Sequence, residues 1–234
     1  MNTTRELQAA QPVTHLGTKR THPRARTGVR FVLTNATDPS RADDYSAWYD
    51  DYENAIIRPG LLANAFRFEN PNAAGSSTDP RYAAIYDIVS PDPASAWPQT
   101  ENSPGYPRHL FDDARSRLVA PVLRASYALT GSLLADSDHG ELTGVQILLS
   151  DGGTDTVRAQ RAAALLKTGF FYGASRSRII EGSPEPPAWL EVLETDLQDP
   201  LTAYARACDA LESEPRVDGL RQRSSRSFVL VAAR

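Results

Sequence analysis

The sequence predicts an α+β fold, tandem ferredoxin-like: two consecutive β-α-β-β-α-β units that fold back on each other as one pseudo-dimeric α+β barrel. Two repeats within the chain carry this prediction. Gly60 and Gly169 each end the first helix of a half, and Arg67 and Arg176 follow at the same 109-residue spacing (60 to 169, 67 to 176). Asp92-Pro93-Ala94-Ser95-Ala96-Trp97 opens the second helix of the first half as Asp199-Pro200-Leu201-Thr202-Ala203-Tyr204 does 107 residues later (92 to 199). The third observation is the element order itself, a split βαβ in each half. A four-stranded antiparallel sheet with helices on one face leaves the other face bare, and two such sheets in one chain can bury those faces on each other. The expected boundaries are a disordered arm over 1–27, a first repeat over 28–136 and a second over 137–234.

Residues 1–27 are polar and lack periodicity; Lys19, Arg20, Arg24 and Arg26 have no apolar partner there. Gly28 to Asn35 is apolar enough for a central strand. Asp38 or Ser40 can cap the helix that follows. Tyr45, Trp48, Tyr49, Tyr52 and Ile56 fall three or four apart and share one helical face, while Asp43, Asp44, Asp50 and Glu53 make the solvated one. Pro59-Gly60 stops that helix. Leu61 to Glu69 is a strand, with Leu62, Phe66 and Phe68 on one side and Ala63, Ala65 and Arg67 on the other. A turn-rich loop spans 70–80. Arg81 to Ser90 is the third strand, with Tyr82, Ala84, Tyr86 and Ile88 on one face. Pro91-Asp92-Pro93 opens a short helix containing Ala96 and Trp97. Residues 99–108 read as loop, 110–123 as a helix interrupted near Pro121, and 125–134 as the fourth strand.

The second half repeats this order. Strands are predicted over 143–150, 170–181, 188–195 and 227–233, with helices over 154–168 and 199–212. Cys208, the single cysteine, shares a helical face with Leu201, Tyr204, Ala205 and Leu211 and reads as a buried structural thiol.

Composition narrows function by exclusion. A hydrophobic share of 41% over 234 residues can build a core, and a net charge of −4 exerts no global pull on nucleic acid or acidic membranes. Only two lysines, Lys19 and Lys167, stand among the 25 basic residues; this fits coding bias in a GC-rich genome. No apolar run approaches the ~18 residues of a membrane span, and the N-terminus lacks the apolar core of a signal peptide. A cytoplasmic protein without membrane or nucleic-acid partners is expected. Pairing with a second copy stays open.

Trp48-Tyr49-Asp50, a polar pair, an apolar run, Pro59-Gly60 and Ala65-Phe66-Arg67-Phe68 together resemble the EthD-like branch of the dimeric α+β barrel superfamily. Tyr82-Ala83-Ala84-Ile85-Tyr86-Asp87 is similar to its third strand. The resemblance covers residues 28–100; the second half is similar only in its pattern of elements. It implies a pocket between helix and sheet in each half. The superfamily holds cofactor-independent monooxygenases, polyketide and aromatic cyclases, lactone isomerases, dehydratases, haem-using relatives and proteins without known catalysis. Where the family often has His-His after Trp-Tyr-Asp-x-x, this chain has Tyr52-Glu53, so the usual imidazole base is missing.

The candidate catalytic residues are therefore Tyr52, Asp51 and His109. A buried Tyr52 phenol could donate to a carbonyl or enolate oxygen; it could equally be a core tyrosine. Asp51 could act as a base if partial burial raises its pKa, or remain a solvated carboxylate. His109 could cap the first-half pocket or stay an exposed loop residue. Candidate substrate-binding residues are Asn35, Trp48, Arg67, Tyr86 and Arg176. Asn35 could orient a ligand carbonyl or hold a turn. Arg67 and Arg176 could pin a carboxylate or phenolate or pair with acids at the barrel seam. Trp48 and Tyr86 could wall an aromatic box or pack. No His, Cys, Asp and Glu spacing indicates zinc, only His109 is near a position for a haem ligand, and Asp151-Gly152-Gly153 lacks the residues of a phosphate loop. The expectation is an enzyme without metal or organic cofactor on a hydrophobic polyketide or aromatic molecule, as cyclase, dehydratase or isomerase. The alternatives are a cofactor-free monooxygenase and a non-catalytic binding or structural barrel.

Overall fold

The computed structural model describes residues 4–7, 25–112, 117–135, 139–211 and 220–233. Its strands are β1 (Thr4–Leu7), β2 (Gly28–Ala36), β3 (Leu62–Glu69), β4 (Tyr82–Ile88), β5 (Val119–Ala135), β6 (Gly144–Gly152), β7 (Gly173–Ser183), β8 (Trp189–Thr195) and β9 (Leu220–Ala233). Its helices are α1 (Ala42–Ile56), α2 (Pro93–Asn102), α3 (Arg108–Asp112), α4 (Asp155–Lys167) and α5 (Ala203–Ala210). The first half orders its strands β5-β2-β4-β3 and the second β9-β6-β8-β7, the same fourth-first-third-second arrangement. All pairings are antiparallel, and the halves join twice. β3 pairs with β9 from Phe66↔Ala233 to Glu69↔Val229. β5 pairs with β7 from Arg124↔Ser183 to Leu134↔Gly173. Eight strands thereby close into a barrel with no free edge between the halves.

The pseudo-twofold is written in backbone detail. Thr27 and Thr143 each donate a hydroxyl to two carbonyls, one on the last residue of the third strand and one two residues on: Ile88 and Ser90 in one half, Thr195 and Leu197 in the other. The glycines after them, Gly28 and Gly144, lie so close to the fourth strand that an added Cβ would stand 2.4 Å from Tyr127 O or Phe228 O. Gly60 and Gly169 both take positive φ, 76° and 77°, as the helix stops they were predicted to be.

Alternation along β2 sorts the cores. Val29, Phe31 and Leu33 point into the barrel and join Phe68, Ile85, Tyr127, Ile147, Val192 and Phe228, drawn from both halves, in one cluster. The opposite face of each half-sheet packs on its own helices, giving two further cores. Burying the bare sheet faces on each other is thus the step that joins the halves.

Several expectations are corrected. Glu53, assigned to the solvated face of α1, is fully buried. Leu62 and Phe66 do not share a side of β3: a bulge between Ala63 and Ala65, with Asn64 at φ 46° and bonded to Asp87 at 3.0 Å, turns Leu62 toward the helices and Phe66 into the barrel. Residues 119–123 are strand, not helix. Pro121 falls where the β2–β5 register shifts, a place where a missing N–H is tolerated. α2 runs to Asn102 through the predicted loop. β9 starts seven residues early, its polar beginning held by pairing with β6. Cys208 is half-buried; Ala203 and Ala207 make the buried face of α5. The arm is not structureless throughout, for Thr4–Leu7 pairs with the end of β5, and Arg26 is buried against Asp87 at 3.4 Å. Lys19, Arg20 and Arg24 lie outside the described residues.

Candidate active site

The helix-facing side of β2 presents Arg30, Val32 and Thr34. Across from them stands the aromatic face of α1. Trp48 stacks on Tyr52 at 5.2 Å and 7° between planes, and Tyr49 meets Tyr52 edge-on at 5.9 Å. α2 adds Trp97 and Glu101, the segment after it Tyr106, and β5 Val119, Pro121 and Arg124. Together these residues line a cleft with a cavity of about 40 Å³, set in about 460 Å³ of non-protein space that includes its open mouth. The Trp48 indole donates to the Leu110 carbonyl at 2.9 Å, which ties α1 to α3. Trp97 and Tyr106 meet edge-on at 6.3 Å.

Two groups give the cleft its chemistry. Burial, then the nearby phenols Tyr106 and Tyr49, push the Tyr52 phenol well above its ordinary pKa, against the pull of Arg30. Tyr52 is therefore neutral and can donate a proton or a hydrogen bond, but it is a poor base. Arg30 is 6% exposed. Its guanidinium carbon lies 4.2 Å over the Trp97 ring, Nη1 donates to Ser126 Oγ at 3.1 Å, and Glu181 Oε1 is 3.6 Å away. Burial lowers the Arg30 pKa while Tyr52, Glu181 and Glu101 act to raise it; an arginine stays charged under such a shift.

The structure brings together only some of the predicted site residues. Tyr52 and Trp48 line the cleft. Tyr86 lies in the same helix–sheet core but not on the cleft wall. Asp51 is exposed on α1 and outside the cleft lining, so the burial that would have made it a base is missing. His109 is exposed on α3 and also outside the lining. Arg67 is bound at the seam, to Asp50 at 3.1 Å and the Ser46 carbonyl at 3.0 Å. Arg176 likewise reaches Asp155 at 3.1 Å. Asn35 donates to the Ser76 carbonyl at 2.9 Å and accepts from the Arg81 N–H at 2.8 Å, so its amide organises the 70–81 loop. That loop and β2 enclose a second hollow of about 150 Å³. Its walls carry loop backbone, with Arg81 paired to Glu69 at 2.6 Å, and it offers no aromatic surface beyond Tyr82.

Arg30, Glu101, Tyr106 and Arg124 were not foreseen. One signal was legible: an arginine in the middle of a strand otherwise apolar enough to be central.

The equivalent layer of the second half holds a buried charge cluster. Arg158 and Arg161, both on the buried face of α4, converge on Glu191. Arg161 Nη2 donates to Glu191 Oε1, and Arg158 Nε lies 3.6 Å from the same oxygen. Arg158 also donates to Ser150 Oγ at 3.0 Å and the Gly152 carbonyl at 2.7 Å, and lies 4.2 Å over Trp189. Burial raises the Glu191 pKa while both arginines oppose it.

A haem, used by some relatives in the resembled superfamily, needs an axial donor aimed into such an interface. His109 is exposed, and His139 stacks on Tyr172 with centroids 4.1 Å apart. Neither of these histidines lies on the lining of the first-half cleft. Among the described residues no group of three or more His, Cys, Asp or Glu could hold a metal ion, and no helix is long and apolar enough to cross a membrane.

An eight-stranded antiparallel barrel made of two split-βαβ halves, helices outside, is the dimeric α+β barrel fold, here with both halves in one chain. No protein-family model matches the sequence, and no curated protein does so significantly. Among solved structures the chain is similar to an anthrone oxidase-like protein (TM-score 0.55, 9% identity, covering 98% of this chain and 96% of that one). It is also similar to a variant of chlorite dismutase from Candidatus Nitrospira defluvii (0.56, 8%, 88% and 91%) and to a monooxygenase-like protein from Fusobacterium nucleatum (0.52, 10%, 89% and 94%). At such identities these likenesses show the fold.

Proposed function

We propose that this chain is a cofactor-independent enzyme on a hydrophobic aromatic or polyketide-like molecule, with the first-half cleft as its active site. The motif residues around Trp48-Tyr49-Asp50 and Pro59-Gly60 support placing it in the EthD-like branch. The observation that carries the reading is the neutral Tyr52 phenol in a wall of aromatic rings beside the buried Arg30 cation. Such a pair favours a substrate oxygen that gains negative charge. The reaction class it suits is proton removal next to a carbonyl, as in cyclisation, dehydration or isomerisation. Tyr52 O–H donates to the enolate oxygen as it forms. Glu101, exposed like Asp51 and His109 but the one of the three on the cleft lining, takes the carbon-bound proton. Cofactor-free oxygenation would begin from the same enolate. The names of two fold neighbours, anthrone oxidase-like and monooxygenase-like, are compatible with that variant.

The 40 Å³ cavity is far below the ~300 Å³ of a pocket that swallows a whole drug-sized ligand. Only the reacting end fits inside, with the rest of the molecule against the mouth. The same small volume favours the rival reading, a barrel that binds or merely packs there without turnover. The two separate by following hydrogen–deuterium exchange at the acidic carbon of anthrone in D₂O by NMR. The expected result is protein-dependent exchange that Tyr52→Phe slows about 10²-fold or more. Equal rates for wild type and Tyr52→Phe would reject the role of Tyr52, and no exchange above buffer would reject catalysis on this class.

A further inference from the structure

The geometry points to Arg30 as an anchor for an anionic oxygen, so that the ligand of the first-half cleft is an aromatic acid that enters carboxylate first. This rests on the cleft being a ligand site and adds the ligand's charge and orientation.

Four observations carry it. Arg30 is more than nine-tenths buried, yet its nearest acid, Glu181, stands 3.6 Å off with its own side chain 40% exposed. A guanidinium can make five N–H donations in a rigid fork. Here Nη1 is used by Ser126, while Nε is buried and has no hydrogen-bond partner among the described residues. A buried donor left unmet is costly unless something fills it. Second, Arg30 and Arg124 both lie on the cleft lining, so two guanidinium groups border one opening, with Glu101 on the lining and Glu181 beside Arg30 as their acids. Third, the cavity of about 40 Å³ has room for a carboxylate, and Trp97 and Tyr106 supply aromatic surface around it.

The fourth observation is internal to the chain. Counted from the paired glycines Gly28 and Gly144, the position of Arg30 in β2 is that of Gln146 in β6. Arg30 pairs across the sheet with Ser126, and Gln146 pairs with Ser227. Gln146 is neutral and satisfied at both ends: Nε2 donates to Ser225 at 2.6 Å and Oε1 accepts from Ser227. The same scaffold position thus works without charge. In the first half it carries a cation whose buried Nε has no hydrogen-bond partner among the described residues, on the wall of the cleft.

Calorimetry with benzoate and its neutral isostere benzamide tests this on the full chain. Wild type is expected to bind benzoate at least tenfold more tightly. Arg30→Gln, which copies the residue type of Gln146 and so is compatible with the strand, is expected to bring the two affinities together. Glu181→Gln removes the competing carboxylate and is expected to tighten benzoate severalfold while leaving benzamide unchanged. Equal binding of the two probes by wild type, or discrimination that survives in a folded Arg30→Gln, overturns the anchor and leaves the cleft as a ligand site. Binding of neither probe removes the anchor together with the site beneath it.

Discussion

The two helix–sheet layers of this barrel occupy equivalent places and bury arginines in opposite ways. In the second half Arg158 and Arg161 meet Glu191, itself 1% exposed, and Arg158 also lies over Trp189. In the first half the carboxylate that Arg30 has at 3.6 Å belongs to Glu181, whose side chain is 40% exposed, and the facing helix lines the cleft with Trp48, Tyr49 and Tyr52. A buried cation needs its counter-charge close and well bonded. Where the chain supplies that partner from within, the interface is closed and structural. Where the acid lies at the surface, as Glu181 does, the cation can exchange it for an anion that enters through the mouth. The difference teaches that the two halves are told apart by the burial of the acid, 1% exposed at Glu191 and open to solvent at Glu181.

Breaking the closed side should have the largest effect. Glu191→Gln leaves two arginines sharing a neutral amide at full burial. Loss of one member of such a group costs about 3–5 kcal/mol. Urea denaturation should show that loss in midpoint, while benzoate binding in the first half stays as in wild type. A loss under about 1 kcal/mol would mean that the three groups do not hold the second half together, and the contrast between the layers would fail.

A smaller test sharpens the pseudo-symmetry. An alanine at either paired glycine drives a methyl into a carbonyl of the neighbouring strand. At Gly28 the next close atom, Pro93 Cβ, is 3.2 Å away, whereas at Gly144 Pro200 Cβ is itself at 2.4 Å. Overpacking of this kind costs about 1–3 kcal/mol. Gly144→Ala should sit at the upper end and Gly28→Ala lower, read as the difference of their thermal midpoints. The reverse order would show that the two prolines do not pack on their glycines as the geometry has them.

How much of this was legible depended on what each residue must satisfy. The element order, the glycine stops and the aromatic face of α1 could be read because periodicity and backbone conformation act locally. The seam role of Arg67 and Arg176 was legible as the alternative to ligand binding, since a repeated arginine at a repeated position suits a repeated ion pair. Glu53 was misread because helical spacing places it at the border of the apolar face, and only the fold shows that border covered. Asn64 hid the turn of β3, for a single positive-φ residue reverses the alternation that sequence reading assumes. The beginning of β9 was missed because a polar strand is held by its neighbour's backbone, which leaves no mark in its own composition. Arg30 could have been singled out, since a charge inside an apolar strand must meet a partner. What its position in the sequence could not show is that the nearest acid, Glu181, lies on a strand of the other half.

The smallest predicted difference lies at the helix entries. Asp38 caps the 3-10 turn Pro39–Arg41 that leads into α1, whose own N-cap, Arg41, makes no side-chain bond; it accepts from the Ser40 N–H at 2.9 Å and from its hydroxyl at 2.7 Å, and these bonds hold its carboxyl below the ordinary value. A folded pKa below the unfolded one, about 3.9, means the stabilisation is complete above that unfolded value and is lost as pH falls through the folded one. In the second half Thr154 Oγ caps α4 directly, accepting from the Val157 N–H at 3.4 Å, and a hydroxyl gains no proton in this range. Acid should therefore loosen the entry to the first-half helix and spare the second. Amide shifts of Ser40 and Val157 followed from about pH 7 to about pH 2 measure it: Ser40 should titrate below about pH 4 and Asp38→Asn should flatten its curve. A common midpoint for both amides would trace the change to the barrel as a whole, and the two caps would then be equivalent after all.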